Sequence, residues 1–564
     1  MGSDLGAEPP PRGNQRAAVH VPLKPIRHAG RALACRIPDA SRTFHPHLSA
    51  TDRAETAWAR RMLTDGDFFE SYIDSAALAG SPSRPCSLSP EDDAMLLTSG
   101  VAVPCPRGTR GRVTAAAYKV LKSDGVSARL ILPCVALNRA TVRPATFRIA
   151  APREVARWLR SAGVAASSDG VNWFYQFALP PSVRRFFAYR LGPSPRLMAV
   201  LTMGHTQSPR VAHTLMCALA GASPTSVATD IGRHPAMVII DNVLLAARGK
   251  RALRRRLAAF DGACAAANAL IQADTPPSTD GVVHGGVEYR LSPLRWRLKR
   301  GWAARFAANA AAGTVGPCTW AWWRSALGSA VWACRVLEIP LAHLTSLWRR
   351  LKPFALADDG SATVALDERA QRAWAALTAL VGTDPWVRAT TRRPFRVWLW
   401  ADASTYGAGW TWYHPLRGWA SGSIKWTDVE AAAAAGRMPW AEARATRVAL
   451  RALYRSDLPL RRACVNIVTD CLPWYHALRS GAPRSGWLAA EYLRIAAEAD
   501  VRSLQYRPCW CDTRRMLADA PSRGLPLVLR HPIPYPSRMS SDYLPFATPC
   551  DPPQHDGRLL TAAL

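Results

Sequence analysis

The sequence predicts a multidomain α/β protein, with two regions of mixed strands and helices (α+β) separated by a helical segment. The chain has 564 residues, which is too long for one hydrophobic core, and 49% of them are hydrophobic, enough to fold most of it. Strand-like and helix-like runs alternate in both halves, whereas residues 300–385 are rich in Ala, Trp and Arg at helical spacing. These observations predict at least two mixed domains and a helical connection between them.

The charge is strongly positive and favours a polyanionic partner. The chain has 72 Lys+Arg against 41 Asp+Glu, a formal charge of +31. We expect no membrane partner, because no uninterrupted apolar stretch is long enough to span a bilayer and the N-terminus lacks a signal-peptide core. The 13 Cys are scattered without paired CxxC spacing, which favours reduced thiols in the cytoplasm or nucleus.

The N-terminal segments are predicted from composition and periodicity. Residues 1–50 are rich in Pro, Arg, Gly and His without periodicity, which predicts a basic disordered arm. Residues 51–90 read as a helical leader followed by the linker SPSRPCSLSP. A mixed region then begins with strand, Asp-Gly turn and strand in YKVLKSDGVSARLILP.

Two aspartates stand at the edges of apolar, strand-like runs in this region. Asp169 ends a short run in SSDGVNWFYQFALP, and Asp241 lies between the two apolar stretches of AMVIIDNVLLAAR. A hairpin of that kind places Asp241 at an exposed turn, where it can meet Asp169 on a neighbouring strand. Carboxylates on adjacent strands can bridge two Mg²⁺ ions, the arrangement used for phosphoryl transfer.

The order of these motifs resembles a reverse transcriptase. The resemblance implies catalytic and metal-binding roles for Asp169 and for Asp241, which matches the first aspartate of the YxDD box. It implies that Phe174 screens out a ribose 2′-hydroxyl. GVVHGGVEYRL is similar to a later hairpin of the family. The resemblance also implies nucleotide-binding roles for residues of other motifs. They are Lys122 and Arg129 of the fingers segment, Gln176 of the motif that contains the first aspartate, and Gly204, Ser208 and Pro209 of the motif usually written LPxGxxxSP.

The sequence departs from the family at three positions. The YxDD box reads Ile239-Ile240-Asp241-Asn242, so its aromatic residue is missing. Asn242 stands where the box has its second aspartate, and Thr202 stands where Pro is usual. Each matching residue also has a plainer explanation on its own, since Asp169 could cap a helix and Phe174 could be core. Those explanations do not account for four motifs in the same order.

A second set of acidic residues occupies the last third of the chain. RVWLWADAS, GAGWTWYH and GWASGSIKW read as three strands, and CVNIVTD and VRSLQYRP as two more. Asp402 and Asp470 end two of these strands, Glu442 lies on a helix, and Asp519 lies in RRMLADAPSRG. Strand ends and a helix can converge four carboxylates on one point, where two Mg²⁺ would support hydrolysis.

This second set resembles the RNase H domain of retroelements. ADAS, the helical Glu, TD and ADAPSR follow the family's order, and the resemblance implies that Asp402, Glu442, Asp470 and Asp519 are catalytic and bind Mg²⁺ or Mn²⁺, two ions per active site. Singly, Asp519 could cap a helix and Glu442 could lie on a solvated helix face.

Together the two resemblances imply a domain order. It is a right-hand polymerase with fingers and palm at 91–300, a helical thumb and connection at 301–390, an RNase H-like mixed five-stranded sheet with flanking helices at 391–526, and a Pro-rich tail at 527–564. The helical segment WWRSALGSAVWACRVLEIPLAHLTSLWRRL resembles the connection of DIRS-like retrotransposons, including the trypanosomatid VIPER type.

The predicted function is an RNA-directed DNA polymerase with RNase H activity from a retrotransposon. Its expected partners are an RNA template, a DNA primer, the RNA–DNA hybrid and deoxynucleotide triphosphates. One alternative is a decayed or domesticated copy that binds nucleic acid without catalysis, which Asn242 favours. A second is an assembly protein that coats RNA with its basic arm, which leaves both carboxylate sets unexplained.

Overall fold

The computed structural model describes residues 21–24, 26, 37 and 48–527, with gaps at 79–85, 87, 107–113, 116, 122–125, 146, 192–193, 233, 358, 389–395, 415–416, 457, 459, 461–462 and 502–503. The chain divides into two compact units, one of residues 1–305 with 384–389 and one of residues 306–383 with 390–564. Each unit contains both helices and strands, so the predicted mixed, multidomain organisation is confirmed.

The first unit contains helices and short sheets in a mixed order. Its helices are α1 (Ala50–Thr64), α2 (Gly66–Glu70), α3 (Pro90–Thr98), α4 (Val135–Ala140), α5 (Pro152–Leu159), α6 (Ser208–Ala220) and α7 (Lys250–Ala266). Its first strands are β1 (Ala102–Pro104), β2 (Thr114–Ala115), β3 (Tyr118–Leu121), β4 (Ala128–Ile131), β5 (Val164–Gly170), β6 (Ala188–Leu191), β7 (Ser194–Met198), β8 (Ala236–Ile239) and β9 (Asn242–Ala247). The later strands are β10 (Ile271–Ser278), β11 (Gly281–His284), β12 (Val287–Leu291), β13 (Leu294–Leu298) and, after the helical segment, β16 (Val387–Arg388).

A four-stranded sheet in the order β10-β5-β9-β8 lies at the centre of this unit. Strand β5 is antiparallel to both β9 and β10, and Asp169 lies opposite Asn242 on β9 and Gln272 on β10. Val164 to Ser168 and Val243 to Ala247 are buried, so the middle of the sheet is fixed by apolar packing. The polar residues at its end are therefore held by a rigid scaffold.

Residues near position 23, inside the predicted disordered arm, pack on this unit. Leu23, Ile26 and Ile37 are buried. The backbone N–H of Lys24 donates to the carbonyl of Ala128 at 3.0 Å, and the N–H of Ala128 donates to Pro22 at 3.0 Å. Isolated apolar residues without periodicity gave no sequence signal for this packing.

The second unit begins with a helical segment and two short strands. Its elements are α8 (Trp302–Val315), which starts in the preceding unit, β14 (Cys318–Thr319), α9 (Trp320–Leu337), α10 (Thr345–Ala357), β15 (Thr363–Val364) and α11 (Glu368–Gly382). Trp374 and Trp323 are fully buried, and the indole N–H of Trp374 donates to the Ala310 carbonyl at 2.9 Å. In the described part of the chain no helix is both long enough and apolar enough to cross a membrane.

A five-stranded mixed sheet forms the rest of this unit, in the order β19-β18-β17-β20-β21. Its strands are β17 (Arg396–Ala403), β18 (Gly407–His414), β19 (Gly418–Lys425), β20 (Cys464–Thr469) and β21 (Gln505–Trp510), and its helices are α12 (Asp428–Gly436), α13 (Met438–Arg455), α14 (Leu472–Ser480), α15 (Gly486–Val501) and α16 (Asp519–Ser522). β17 pairs antiparallel with β18 and parallel with β20. β17 is the central strand of this order, and its alternate residues Val397, Leu399 and Ala401 are buried in the core.

Candidate active sites

The turn between β8 and β9 presents Asp241 at the end of the first unit's central sheet. Ile239 pairs with Asn242, which leaves Ile240 and Asp241 as a two-residue turn. Ile240 has φ 58°. This is a left-handed conformation that costs a β-branched residue on the order of 1–3 kcal/mol. The N–H of Ile240 donates to Nδ1 of buried His213 at 3.2 Å, which helps to hold the strained turn.

Asp169 lies beside this turn. The N–H of Gly170 donates to the Asp241 carbonyl at 2.9 Å, so the two aspartate-bearing segments are directly joined. Burial, followed by the charge of Asp241, raises the pKa of Asp169 to about 6. Burial also raises the pKa of Asp241. Carboxyls that resist ionisation when unliganded suit a divalent cation, because an adjacent cation favours their charged form.

Asn242 connects Asp169 to the β11–β12 hairpin. Its side chain forms a hydrogen bond with the Asp169 carboxylate that lowers the pKa of that group. Its Oδ1 accepts a hydrogen bond from the N–H of Gly285 at 3.3 Å. The amide thus engages two neighbours at the position where the resemblance led us to expect a second aspartate.

A cavity of about 360 Å³ opens beside the two aspartates. Arg129 and Phe174 line it together with Asp169 and Asp241. Arg129 is exposed on β4, and its charge lowers the pKa of both aspartates. The hydroxyl of Tyr175 donates to the Leu130 carbonyl at 2.9 Å, which ties β4 to the 3₁₀ turn (Trp173–Gln176) that carries Phe174. The lining of the cavity therefore combines two carboxylates, the guanidinium of Arg129 and the aromatic side chain of Phe174.

The other predicted nucleotide-binding residues are placed less directly. The buried Gln176 amide donates to the carbonyls of Val171 and Leu270 and accepts from the N–H of Leu270, so its side chain holds the backbone together. Ser208 is buried at the start of α6, where Pro209 occupies the first turn. Lys122 lies outside the described residues.

Gly204 is needed where the chain passes close to β4. Its φ is 125°, and a Cβ there would lie 2.0 Å from the Leu132 carbonyl oxygen. Asn138 brackets the same turn, since its amide donates to the Gly204 carbonyl at 2.8 Å and accepts from the N–H of Thr206 at 2.8 Å.

Two further charged residues near the first site could not be predicted from the sequence. Lys24 lines the cavity although it falls in the predicted arm. Asp274 lies on β10, receives a hydrogen bond from the Ser167 hydroxyl at 3.4 Å, and its charge raises the pKa of Asp169. Neither residue stands in a recognisable motif, and only the pairing of β10 with β5 reveals Asp274.

Three of the four acids predicted in the second unit lie together. Carboxylate oxygens of Asp402 on β17, Glu442 on α13 and Asp470 after β20 are all within 4.8 Å of one another. Two adjacent parallel strands end at the same edge of the sheet, and α13 packs on β17, which accounts for the convergence. The described residues thus contain a three-carboxylate cluster at the sheet edge.

The electrostatics of this cluster fit a cation. Burial raises the pKa of Asp402 to about 6, with a further contribution from the charges of Asp470 and Asp519. Burial also raises the pKa of Glu442, followed by the charges of Asp402 and Asp470. Glu442 Oε1 accepts from the N–H of Ala403 at 3.4 Å, while its buried Oε2 has no hydrogen-bond partner among the described residues. An orphaned carboxylate oxygen beside two other carboxylates is the ligand set that Mg²⁺ or Mn²⁺ takes.

Asp519 is close to this cluster but outside the trio. It begins α16, and its carboxylate pairs with Arg523 at 2.8 Å. α16 approaches β18 so tightly that a Cβ on Gly409 would lie 2.1 Å from the backbone nitrogen of Ser522. Because Gly409 pairs with Asp402, this contact brings α16 to the acidic end of β17.

Comparisons with known proteins leave the family open. No family model matches the chain, and no curated protein matches it. Among solved structures, the foamy viral protease-reverse transcriptase dRH with double-stranded DNA is similar at 12% identity and a TM-score of 0.42, over 84% of this chain and 81% of that one. The foamy viral protease-reverse transcriptase with an RNA/DNA hybrid is similar at 12% identity and a TM-score of 0.41, over 89% of this chain and 64% of that one. TM-scores below 0.5 do not establish a shared fold.

Proposed function

We propose that the protein is an RNA-directed DNA polymerase with RNase H activity, of the kind that a DIRS-like retrotransposon encodes. The observation that carries the proposal is the presence of two separate carboxylate sites, one in each compact unit, within a chain of charge +31. A basic chain attracts a phosphodiester, and grouped carboxylates perform phosphoryl transfer on it with divalent metal.

In the first site, Asp169 and Asp241 would hold the cations and Arg129 would face the triphosphate. Phe174, in the cavity wall, would lie under the sugar of the incoming nucleotide and exclude a 2′-hydroxyl. In the second site, Asp402, Glu442 and Asp470 would hold the cations, with Asp519 at the rim. When bound, Mg²⁺ or Mn²⁺, two per site, supply Lewis acidity to the attacking hydroxyl or water and to the leaving oxygen.

The protein's own residues supply position and a low-dielectric setting. The strained turn at Ile240 and its bond to His213 hold Asp241 in place. Burial of Asp402 and Glu442 keeps water from competing for their oxygens. The proposed partners are an RNA template, a DNA primer, the hybrid that they form, and deoxynucleotide triphosphates.

A decayed copy that only binds nucleic acid is the second candidate, because Asn242 replaces an acid at the first site. The contacts of Asn242 favour a positioning role, since its amide bonds both Asp169 and the N–H of Gly285. Asn242→Ala removes both bonds. We expect Asn242→Ala to lower kcat for primer extension at least ten-fold with little change in the KM for nucleotide. Asn242→Gln, which keeps the amide, is the matched control.

The direct experiment is Mg²⁺-dependent primer extension on an RNA template, run beside cleavage of a hybrid labelled in its RNA strand. The proposal predicts both activities in one purified protein. Binding of the hybrid without either activity would establish the second candidate instead.

A further inference from the structure

One face of the sheet β11-β12-β13-β16 carries a row of arginines. Arg290 on β12 lies opposite Arg295 on β13, and Arg295 lies opposite Arg388 on β16. Directly opposed residues share a face of the sheet, so the three side chains form one row across three strands. Arg297, two residues after Arg295, lies on the same face.

The opposite face of the sheet is core. Val287 and Tyr289 on β12 and Trp296 and Leu298 on β13 are buried. This alternation fixes the register, since a slip of one residue would bury the arginines. The arginine row is therefore a stable feature of the sheet.

The guanidinium groups gather around Trp386. Those of Arg290, Arg295 and Arg297 lie 5.0, 4.7 and 4.4 Å from the centre of its ring. Cation–π contact of this kind holds long side chains in one orientation. With guanidiniums against the ring, Trp386 serves to order the arginines.

Acidic partners neutralise only part of this charge. Arg297 pairs with Glu288 at 3.0 Å and with Asp384 at 3.6 Å. Among the described residues, Arg290, Arg295 and Arg388 form no ion pair. Like charges directly opposite in a sheet are destabilising, so the row opposes folding until an anion binds.

We propose that this face binds the phosphodiester backbone of a nucleic-acid strand. Adjacent strands lie about 4.8 Å apart, so the row spans about 10 Å. A row of that length fits several successive phosphates of one strand better than a single phosphate ion. Contacts to phosphate carry no base information, so this binding is independent of sequence. The inference does not rest on either proposed activity.

The test compares two triple variants of equal charge. Arg290→Gln, Arg295→Gln and Arg388→Gln together remove the row. Three exposed arginines of α7 in the same unit provide the control, changed together to Gln: Arg251, Arg254 and Arg255. Binding of a fluorescently labelled RNA–DNA hybrid is measured by anisotropy at several salt concentrations, without added metal.

Each lost phosphate contact lowers the slope of log K against log salt by about 0.9 for a duplex. We expect the row variant to lower the slope by about 2–3 and the α7 variant by less than 1. Equal slopes for the two variants would overturn the proposal and leave only diffuse attraction. The row variant should melt no lower than wild type, because it removes like-charge contacts. If it melts lower, the single variant Arg388→Gln, at the sheet edge, must still lower the slope by about 1 for the proposal to stand.

Discussion

Asp402→Asn should stabilise the metal-free protein while it abolishes hybrid cleavage. In the absence of cation, Asp402 is buried beside Glu442 and Asp470, and its pKa is raised to about 6. In the unfolded chain this carboxyl has its ordinary pKa of 3.8. Above pH 6 the folded state therefore holds a charge that the unfolded state accommodates more easily.

The size of this effect follows from the shift in pKa. A difference of about two units corresponds to about 3 kcal/mol, at roughly 1.4 kcal/mol per unit. The sign is that of an acid with a raised pKa: the penalty is absent below pH 3.8, accumulates up to pH 6 and is complete above it. Asn cannot ionise, so the variant should be up to about 3 kcal/mol more stable than wild type at pH 7 and equal to it near pH 4.

Urea unfolding with EDTA and with Mg²⁺ measures this difference. Mg²⁺ should stabilise wild type by more than it stabilises Asp402→Asn, because the variant lacks a ligand. Gly436→Ala, at the end of α12 with nothing within 4 Å of the added Cβ, serves as a control for unrelated substitution. A metal-free variant that is less stable than wild type at pH 7, or an equal Mg²⁺ effect on both proteins, would refute the reasoning.

Three other substitutions have defined outcomes. Phe174→Ala should raise ribonucleotide over deoxyribonucleotide incorporation about ten-fold, and an unchanged ratio in single-nucleotide extension would make this aromatic a core residue only. Gly409→Ala should destabilise the second unit by about 1–3 kcal/mol or more and reduce hybrid cleavage, because its Cβ would lie 2.1 Å from the Ser522 nitrogen; normal melting would contradict this. His284 is buried without a hydrogen-bond partner among the described residues, and burial lowers its pKa to about 3. Wild type should lose stability as the pH falls below 6.5, because His284 binds a proton in the unfolded chain and not in the folded one. Between pH 7 and pH 5, the stability of His284→Leu relative to wild type should therefore rise by about 2 kcal/mol; parallel urea-unfolding profiles of the two proteins would contradict this.

The sequence was sufficient to predict the acids that end strands. Asp402 and Asp470 end two strands, and Glu442 lies on the helix between those strands in sequence, so their convergence follows from adjacent strand ends. Their catalytic role stays a prediction. The strand-end pattern does not extend to Asp519, because this residue lies on a short helix and its carboxylate pairs with Arg523.

Contacts between distant segments could not be predicted. Gln176 resembles a nucleotide-binding position, but its amide bonds the backbone of Leu270, 94 residues away. Arg388 joins the arginine row only because β16 pairs with β13 after the whole helical segment. Such contacts depend on tertiary pairing, which local periodicity does not contain.

The most direct test of the central claim is to assay both activities in the same preparations of Asp241→Asn and Asp470→Asn. We expect Asp241→Asn to lose primer extension and keep cleavage of the RNA strand, and Asp470→Asn to lose cleavage and keep extension. Loss of both activities in either folded variant, or full retention of the activity assigned to the altered site with contaminating nuclease excluded, would contradict two separate active sites.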